Sequence, residues 1–192
     1  EQSMDNQQIE THRLRLDDLK SLAIDWNWVR PDKTSLSLEE KKSLRPHQKD
    51  ALRAAKHHFE AHERGQLIMA CGTGKTYTAL KIAEEMTPQG GMVLFIVPSL
   101  SLMKQSITEW ANERARDHRY IGVCSDETVG KSEEKTGQVA DISVPVSTAP
   151  HRIASRISAK TSGSMTVVFC TYQSLDRLAI AQEIFKKPFD LV

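Results

Sequence analysis

The stretch Gln66 to Thr76, QLIMACGTGKT, leaves the chain little choice of fold: an apolar run breaks into a glycine-spaced turn and closes on Lys-Thr. It predicts a strand, a phosphate loop and the start of a helix. Gly72 and Gly74 have no Cβ, so the backbone there can take positive φ and turn its N–H groups inward around an anion. Lys75 is placed to reach the β and γ phosphates as a point charge and Thr76 to offer its hydroxyl to Mg²⁺. The following helix aims its N-terminal dipole at the same oxygens. Residues Gly72, Thr73, Gly74, Lys75 and Thr76 are thus the candidate cradle for ATP, with Lys75 as the candidate catalytic cation and Thr76 as the candidate metal ligand.

The full Walker pattern has a glycine five positions before Gly74, and Met69 stands there. What separates the remaining GxGKT from an ordinary glycine turn is its setting, a strand pattern in Leu67, Ile68 and Met69 before it and a helix pattern after it.

The 192 residues suffice for one sizeable α/β domain plus an appendage. With 26 Lys and Arg against 25 Asp and Glu the net charge is +1, so any nucleic-acid site must be a local patch. No apolar run reaches the ~20 residues of a membrane span, and the opening EQSMDNQQIETHRLR lacks the apolar core of a signal peptide; a cytoplasmic location is the expectation. Cys71, Cys124 and Cys170 fit neither disulfide nor zinc spacing and read as reduced packing residues.

Residues 1–43 form a polar connector in which Leu14 to Val29 predicts one short helix, with Trp26 and Trp28 packing on the domain that follows. From Arg45 the pattern predicts a helix that starts at Pro46, stops at Gly65 and turns Leu52, Ala55 and Phe59 to the core. Gln48 heads that helix, and a Gln amide can pair with the N6 and N7 edge of adenine. The basic residues Arg53, Lys56, His57, His58 and His62 read as a solvated face. A helix over Tyr77 to Met86 presents Ala79, Leu80 and Ala83 to a sheet.

Met92 to Ser99 is a continuous apolar run that predicts a strand buried on both faces of a parallel sheet. A helix capped by Ser99 or Ser101 follows, bearing Leu102, Met103, Ile107, Trp110 and Ala111. Then come a strand from Tyr120 to Cys124, a polar loop from Ser125 to about Ser143, and a helix with Ile153, Ala154 and Ile157 entered through Thr148, Ala149 and Pro150. MTVVFCTYQS repeats the strand-to-polar-turn scheme, a helix runs from Leu175 to Phe185, and FDLV begins one more strand. Strands and helices alternating at this rhythm predict βαβ units with right-handed crossovers.

In order along the chain, LRPHQ, MACGTGKT, VPSLSLMKQ and VVFCTYQSL resemble the motifs of a superfamily 2 helicase or translocase motor, over about residues 44–192. Wording and spacing are most similar to the single-chain type ISP restriction-modification enzymes, with type I and type III restriction motors as nearest relatives. The resemblance implies a P-loop NTPase, RecA-like, three-layer α/β fold with a mostly parallel sheet, and a motor that hydrolyses ATP with Mg²⁺ to move along duplex DNA.

It implies, residue by residue, that Arg45 and Gln48 contact adenine. It likewise assigns Pro98, Ser99, Lys104 and Gln105, then Thr171, Tyr172 and Gln173, to the phosphates of a nucleic-acid strand. In such motors an acidic DEAH-type motif follows the strand that begins FDLV, and Val192 comes before it. The expectation is therefore an ATP-binding half with almost no turnover of its own, completed in a parent chain by a second RecA-like domain, a nuclease, and methyltransferase and target-recognition regions. An RNA helicase motor and a P-loop module that never hydrolyses ATP are the alternatives.

Overall fold

The computed structural model describes residues 40–124, 144, 146–159 and 163–192. The expected helix at Leu14 to Val29, Trp26, Trp28 and most of the loop after Ser125 lie outside the described residues. The elements in chain order are α1 (Pro46–Phe59), α2 (Lys75–Met86), β1 (Met92–Val97), α3 (Leu100–Glu113), β2 (His118–Val123), α4 (Pro150–Ser158), β3 (Met165–Thr171), a 3-10 turn (Tyr172–Ser174) and α5 (Leu175–Phe185).

Among the described residues three strands form a parallel sheet in the order β1-β3-β2. The two-residue period of the strands sorts their side chains between two helical layers. Val93, Val97, Met165, Val167 and Phe169 join Tyr77, Leu80 and Ala83 of α2 and Met103, Ile107 and Trp110 of α3 on one face. Leu94, Ile121, Val123, Val168 and Cys170 join Ile153 and Ala154 of α4 and Leu178 and Ala181 of α5 on the other. β3 lies in the middle, and all seven of its residues are buried, as a strand covered on both faces requires. The expected onset of a further strand in FDLV is present: Leu191 bridges Val93 in parallel, and Asp190 exchanges bonds with Met92, N to O at 2.8 Å and Met92 N to Oδ2 at 2.7 Å.

Several expectations are corrected. The strand at Leu67 to Met69 does not form; these residues are irregular, with Ile68 85% exposed. A strand needs a neighbour to satisfy its backbone, and here a cavity of about 720 Å³ separates Leu67 and Met69 from Val93, Phe95 and Ile96, with Leu191 and Val192 on its border. That cavity also leaves Phe95 and Ile96 half-buried and draws Ala55 and Phe59 to its wall. Helix α1 ends at Phe59 because the chain folds back: His58 Nε2 lies 2.7 Å from Arg64 O, and a Cβ on Gly65 would sit 3.0 Å from the His58 ring. Leu102 faces outward, 43% exposed, since the core stripe of α3 runs through Met103, Ile107 and Trp110. Cys124 and Cys170 pack in the core, where burial and then the neighbouring Cys124 push the Cys170 thiol up to about 12, whereas Cys71 is exposed.

Candidate functional site: a glycine loop braced from three sides

The loop has the backbone geometry its glycines permit, with φ of 74° at Gly72 and 80° at Gly74. Gly74 is also the N-cap of α2, and the helix's first backbone bond runs from Thr78 N to Gly74 O at 3.0 Å. The N–H groups of Lys75 and Thr76 precede that bond and belong to the donors that no helix satisfies internally. Thr73 Oγ1 donates to Ala70 O at 2.7 Å and Thr78 Oγ1 to Gly74 O at 3.0 Å, closing the turn from inside. Lys75 Nζ reaches Met69 O at 3.5 Å and Ala70 O at 3.3 Å. Both contacts are long for an ammonium donor.

Gln48 is buried and spent on the loop. Its Oε1 accepts from Arg45 N at 2.9 Å, and its Nε2 donates to Thr73 O at 3.0 Å and, at 3.5 Å, to Gly74 O. His47 Nε2 lies 3.1 Å from the same Thr73 carbonyl, which requires the tautomer with hydrogen on Nε2. Arg45 is exposed at the N-cap. The approach is close enough that a Cβ on Gly74 would stand 2.5 Å from Gln48 Nε2, whereas nothing lies within 4 Å of one on Gly72. Both positions demand positive φ, but only Gly74 also demands space. Gly74→Ala is therefore expected to weaken nucleotide binding well beyond Gly72→Ala, by a further factor of ten or so for a clash of about 1–3 kcal/mol. Affinity titrations of the two variants check this, and equal losses would count against the brace.

Helix α2 is anchored at both ends as well. Tyr77 donates from its hydroxyl to Lys42 O, and Lys42 N donates to Glu113 Oε2 at 2.7 Å, tying the segment before α1 to α2 and α3. Glu84 accepts from Lys81 Nζ at 2.7 Å and Ala115 N at 2.5 Å, and lies 3.3 Å from the enclosed His118 Nε2, whose Nδ1 is 3.1 Å from the Tyr120 hydroxyl. Burial pushes the Glu84 carboxyl up, but the bonds from His118, Lys81 and the Ala115 N–H outweigh it and bring the group from its ordinary 4.5 down to about 2. Since the folded value is the lower one, its stabilisation is full above pH 4.5 and is lost as the pH falls toward 2. Glu84→Gln should flatten the dependence of melting temperature on pH across that window; parallel curves for the two proteins would refute the assignment.

The residues expected at a nucleic-acid strand separate into exposed and structural ones. Val97 and Thr171 are paired in register at the ends of β1 and β3, so Pro98–Ser99 and Tyr172–Gln173 leave the sheet side by side. This is the carboxyl edge of a parallel sheet, where ligands of such folds bind. Pro98, Gln105, Tyr172 and Gln173 are exposed and Lys104 is half-buried. Ser99 caps α3, accepting from Leu102 N at 3.3 Å. Thr171 is buried, and its hydroxyl donates to Ser174 Oγ at 3.1 Å, shaping the turn that carries Tyr172 outward.

Reading the sequence missed His47, Tyr77, Thr78 and Trp110 as parts of this site. His47 stood beside Gln48 and Thr78 two places beyond Thr76, but only the fold shows which carbonyls they meet.

Residues 41–192 match the family model described as "Type III restriction enzyme, res subunit". The chain belongs to that family. Two solved relatives extend the likeness of this res-subunit domain to type ISP enzymes. One is the ATP-dependent Type ISP restriction-modification enzyme LlaBIII bound to DNA, 31% identical with a TM-score of 0.82 over 98% of this chain and 12% of that one. The other is a nuclease-deletion mutant of the Type ISP restriction-modification enzyme LlaGI in complex with a DNA substrate mimic, 35% identical with a TM-score of 0.66 over 78% of this chain and 15% of that one. No curated protein sequence matches. The chain thus spans a small part of the length of either structural relative, and the fold it shares with them is the RecA-like α/β fold with a parallel sheet. Among the described residues no helix is long and apolar enough to cross a membrane.

Proposed function

We propose that this chain binds Mg-ATP at Gly72 to Thr76 and serves as the nucleotide-binding half of an ATP-dependent translocase motor that moves along duplex DNA. The observation that carries the reading is the loop itself: two left-handed glycines leading into the N-terminus of α2, and a Lys75 ammonium whose contacts to the Met69 and Ala70 carbonyls are long. Lys75 then takes the charge of the β and γ phosphates, the loop N–H groups hold their oxygens, and the Thr76 hydroxyl holds Mg²⁺. Mg²⁺ bound through the Thr76 hydroxyl would supply positive charge against the negative charge of the phosphates. The described residues hold no group of three or more His, Cys, Asp and Glu side chains fit for a metal. That suits an ion held largely through substrate phosphates and water.

Gln48 keeps the loop in shape and, by giving up its long 3.5 Å bond to Gly74 O and using the second lone pair of Oε1, meets the adenine edge beside Arg45. Pro98, Ser99, Lys104, Gln105, Tyr172 and Gln173 form the track contact, joined by backbone N–H groups at the start of α3; such contacts grip phosphate without reading sequence. A second RecA-like domain, a nuclease, and methyltransferase and target-recognition regions are the proposed partners in the whole protein.

The test measures ATP hydrolysis by the whole protein with duplex DNA, with RNA and with neither. Stimulation by duplex DNA is expected; stimulation by RNA alone would make it an RNA motor, and binding without hydrolysis in every arm would make it a nucleotide-binding module.

A further inference from the structure

We propose that Trp110 is a positioning residue for the nucleotide site: through the Thr76 carbonyl, its indole N–H sets the first turn of α2 and with it the Thr76 hydroxyl. This rests on the reading of Gly72 to Thr76 as a nucleotide site. Trp110 is fully buried on α3, 34 residues beyond Thr76 in sequence, yet its Nε1 donates to Thr76 O at 3.1 Å. Inside a helix that carbonyl already serves the N–H four residues on, so the indole takes its second lone pair. A helical carbonyl that accepts a bond from outside tilts away from the axis and turns its peptide plane. The plane turned here joins Thr76 to Tyr77.

The donor is a stiff one. Its ring meets Phe95 edge-on at 5.0 Å and Phe169 at 5.5 Å, the first from β1 and the second from β3. The carboxyl ends of those two strands carry Pro98–Ser99 and Tyr172–Gln173. One locked side chain thus joins the residue proposed to hold Mg²⁺, the helix capped by Ser99, and both strands that lead to the proposed track contacts. A buried indole N–H needs some acceptor, and many carbonyls would have satisfied it; the acceptor here belongs to the residue whose hydroxyl the site uses.

Trp110→Phe keeps one ring against Phe95 and Phe169 and deletes the N–H together with the second ring of the indole. Nucleotide affinity of the 192-residue chain is measured with Mg²⁺ and with the metal chelated, beside Lys75→Ala. The expected result is a loss of about fivefold in Mg-ATP affinity, the size of one neutral hydrogen bond, with metal-free affinity unchanged. A purely structural role would lower the melting temperature and leave the ratio of the two affinities as it was, and that outcome overturns the proposal. If Lys75→Ala changes neither affinity, the nucleotide site itself has been misread; if Lys75→Ala abolishes binding while Trp110→Phe alters nothing, the positioning role alone fails. Should Trp110→Phe not fold, the Trp26→Phe, Trp28→Phe double variant leaves Trp110 as the sole indole. Its ¹⁵N–¹H resonance is expected to shift with Mg-ATP and far less with metal-free ATP, and a resonance that neither ligand moves overturns the proposal equally.

Discussion

In a Mg-ATP titration, Lys75→Ala raises the dissociation constant by roughly ten- to a hundredfold and leaves the melting temperature within about 2 °C of the parent. The first figure follows from the loss of charge-assisted bonds worth about 1.5–3 kcal/mol, at about 1.4 kcal/mol for each factor of ten. The second follows from exposure: among the described residues Lys75 is exposed and bonds the Met69 and Ala70 carbonyls, at 3.5 and 3.3 Å, and replacing such a surface group costs within about 0.5 kcal/mol. The combination is diagnostic, because a structural lysine would show the reverse pattern. Unchanged affinity would remove the phosphate loop from the account of this protein.

Phe169→Ala acts on the opposite quantity. Phe169 is fully buried at the middle of the sheet, with ring neighbours Trp110 at 5.5 Å, Phe95 at 5.5 Å and Tyr120 at 5.8 Å. Removing it deletes the apolar contact that ties β3 to β1, β2 and α3 and leaves a cavity that close-packed neighbours refill only in part. Such truncations cost about 3–5 kcal/mol, a large share of the roughly 5–15 kcal/mol that holds a domain together. A fall of roughly 10 °C in melting temperature by circular dichroism is expected. Metal-free ATP affinity measured below the transition should survive, since the loop's bonds to His47, Gln48, Met69 and Ala70 do not involve Phe169. A melting point unmoved within about 2 °C would mean that the aromatic cluster is not the keystone of this face.

The layer architecture was legible because period and punctuation agree. MVLFIV and MTVVFC are apolar at every position, which only a strand covered on both faces tolerates, and Pro46, Ser99 and Pro150 mark helix starts that the structure confirms within a residue. The phosphate loop was legible for a related reason: GTGKT is chemistry carried by consecutive residues, so its geometry depends on local φ rather than on what packs nearby. Those local signals determined the fold class and the candidate nucleotide site.

What the sequence could not decide is partnership across long separations. Leu67 to Met69 has the composition of a strand, but a strand exists only when a neighbour takes its backbone bonds, and the neighbouring edge of β1 is met by Asp190 and Leu191 instead. Thr171 and Tyr172 are adjacent in sequence, yet one is sealed against Ser174 and the other stands 58% exposed, because β3 ends between them. Gln48, His47 and Trp110 reach Thr73 and Thr76 from 25, 26 and 34 residues away. No periodicity records such contacts, since they arise when separate helices close on the same turn, and only the tertiary structure determines which carbonyls those side chains find.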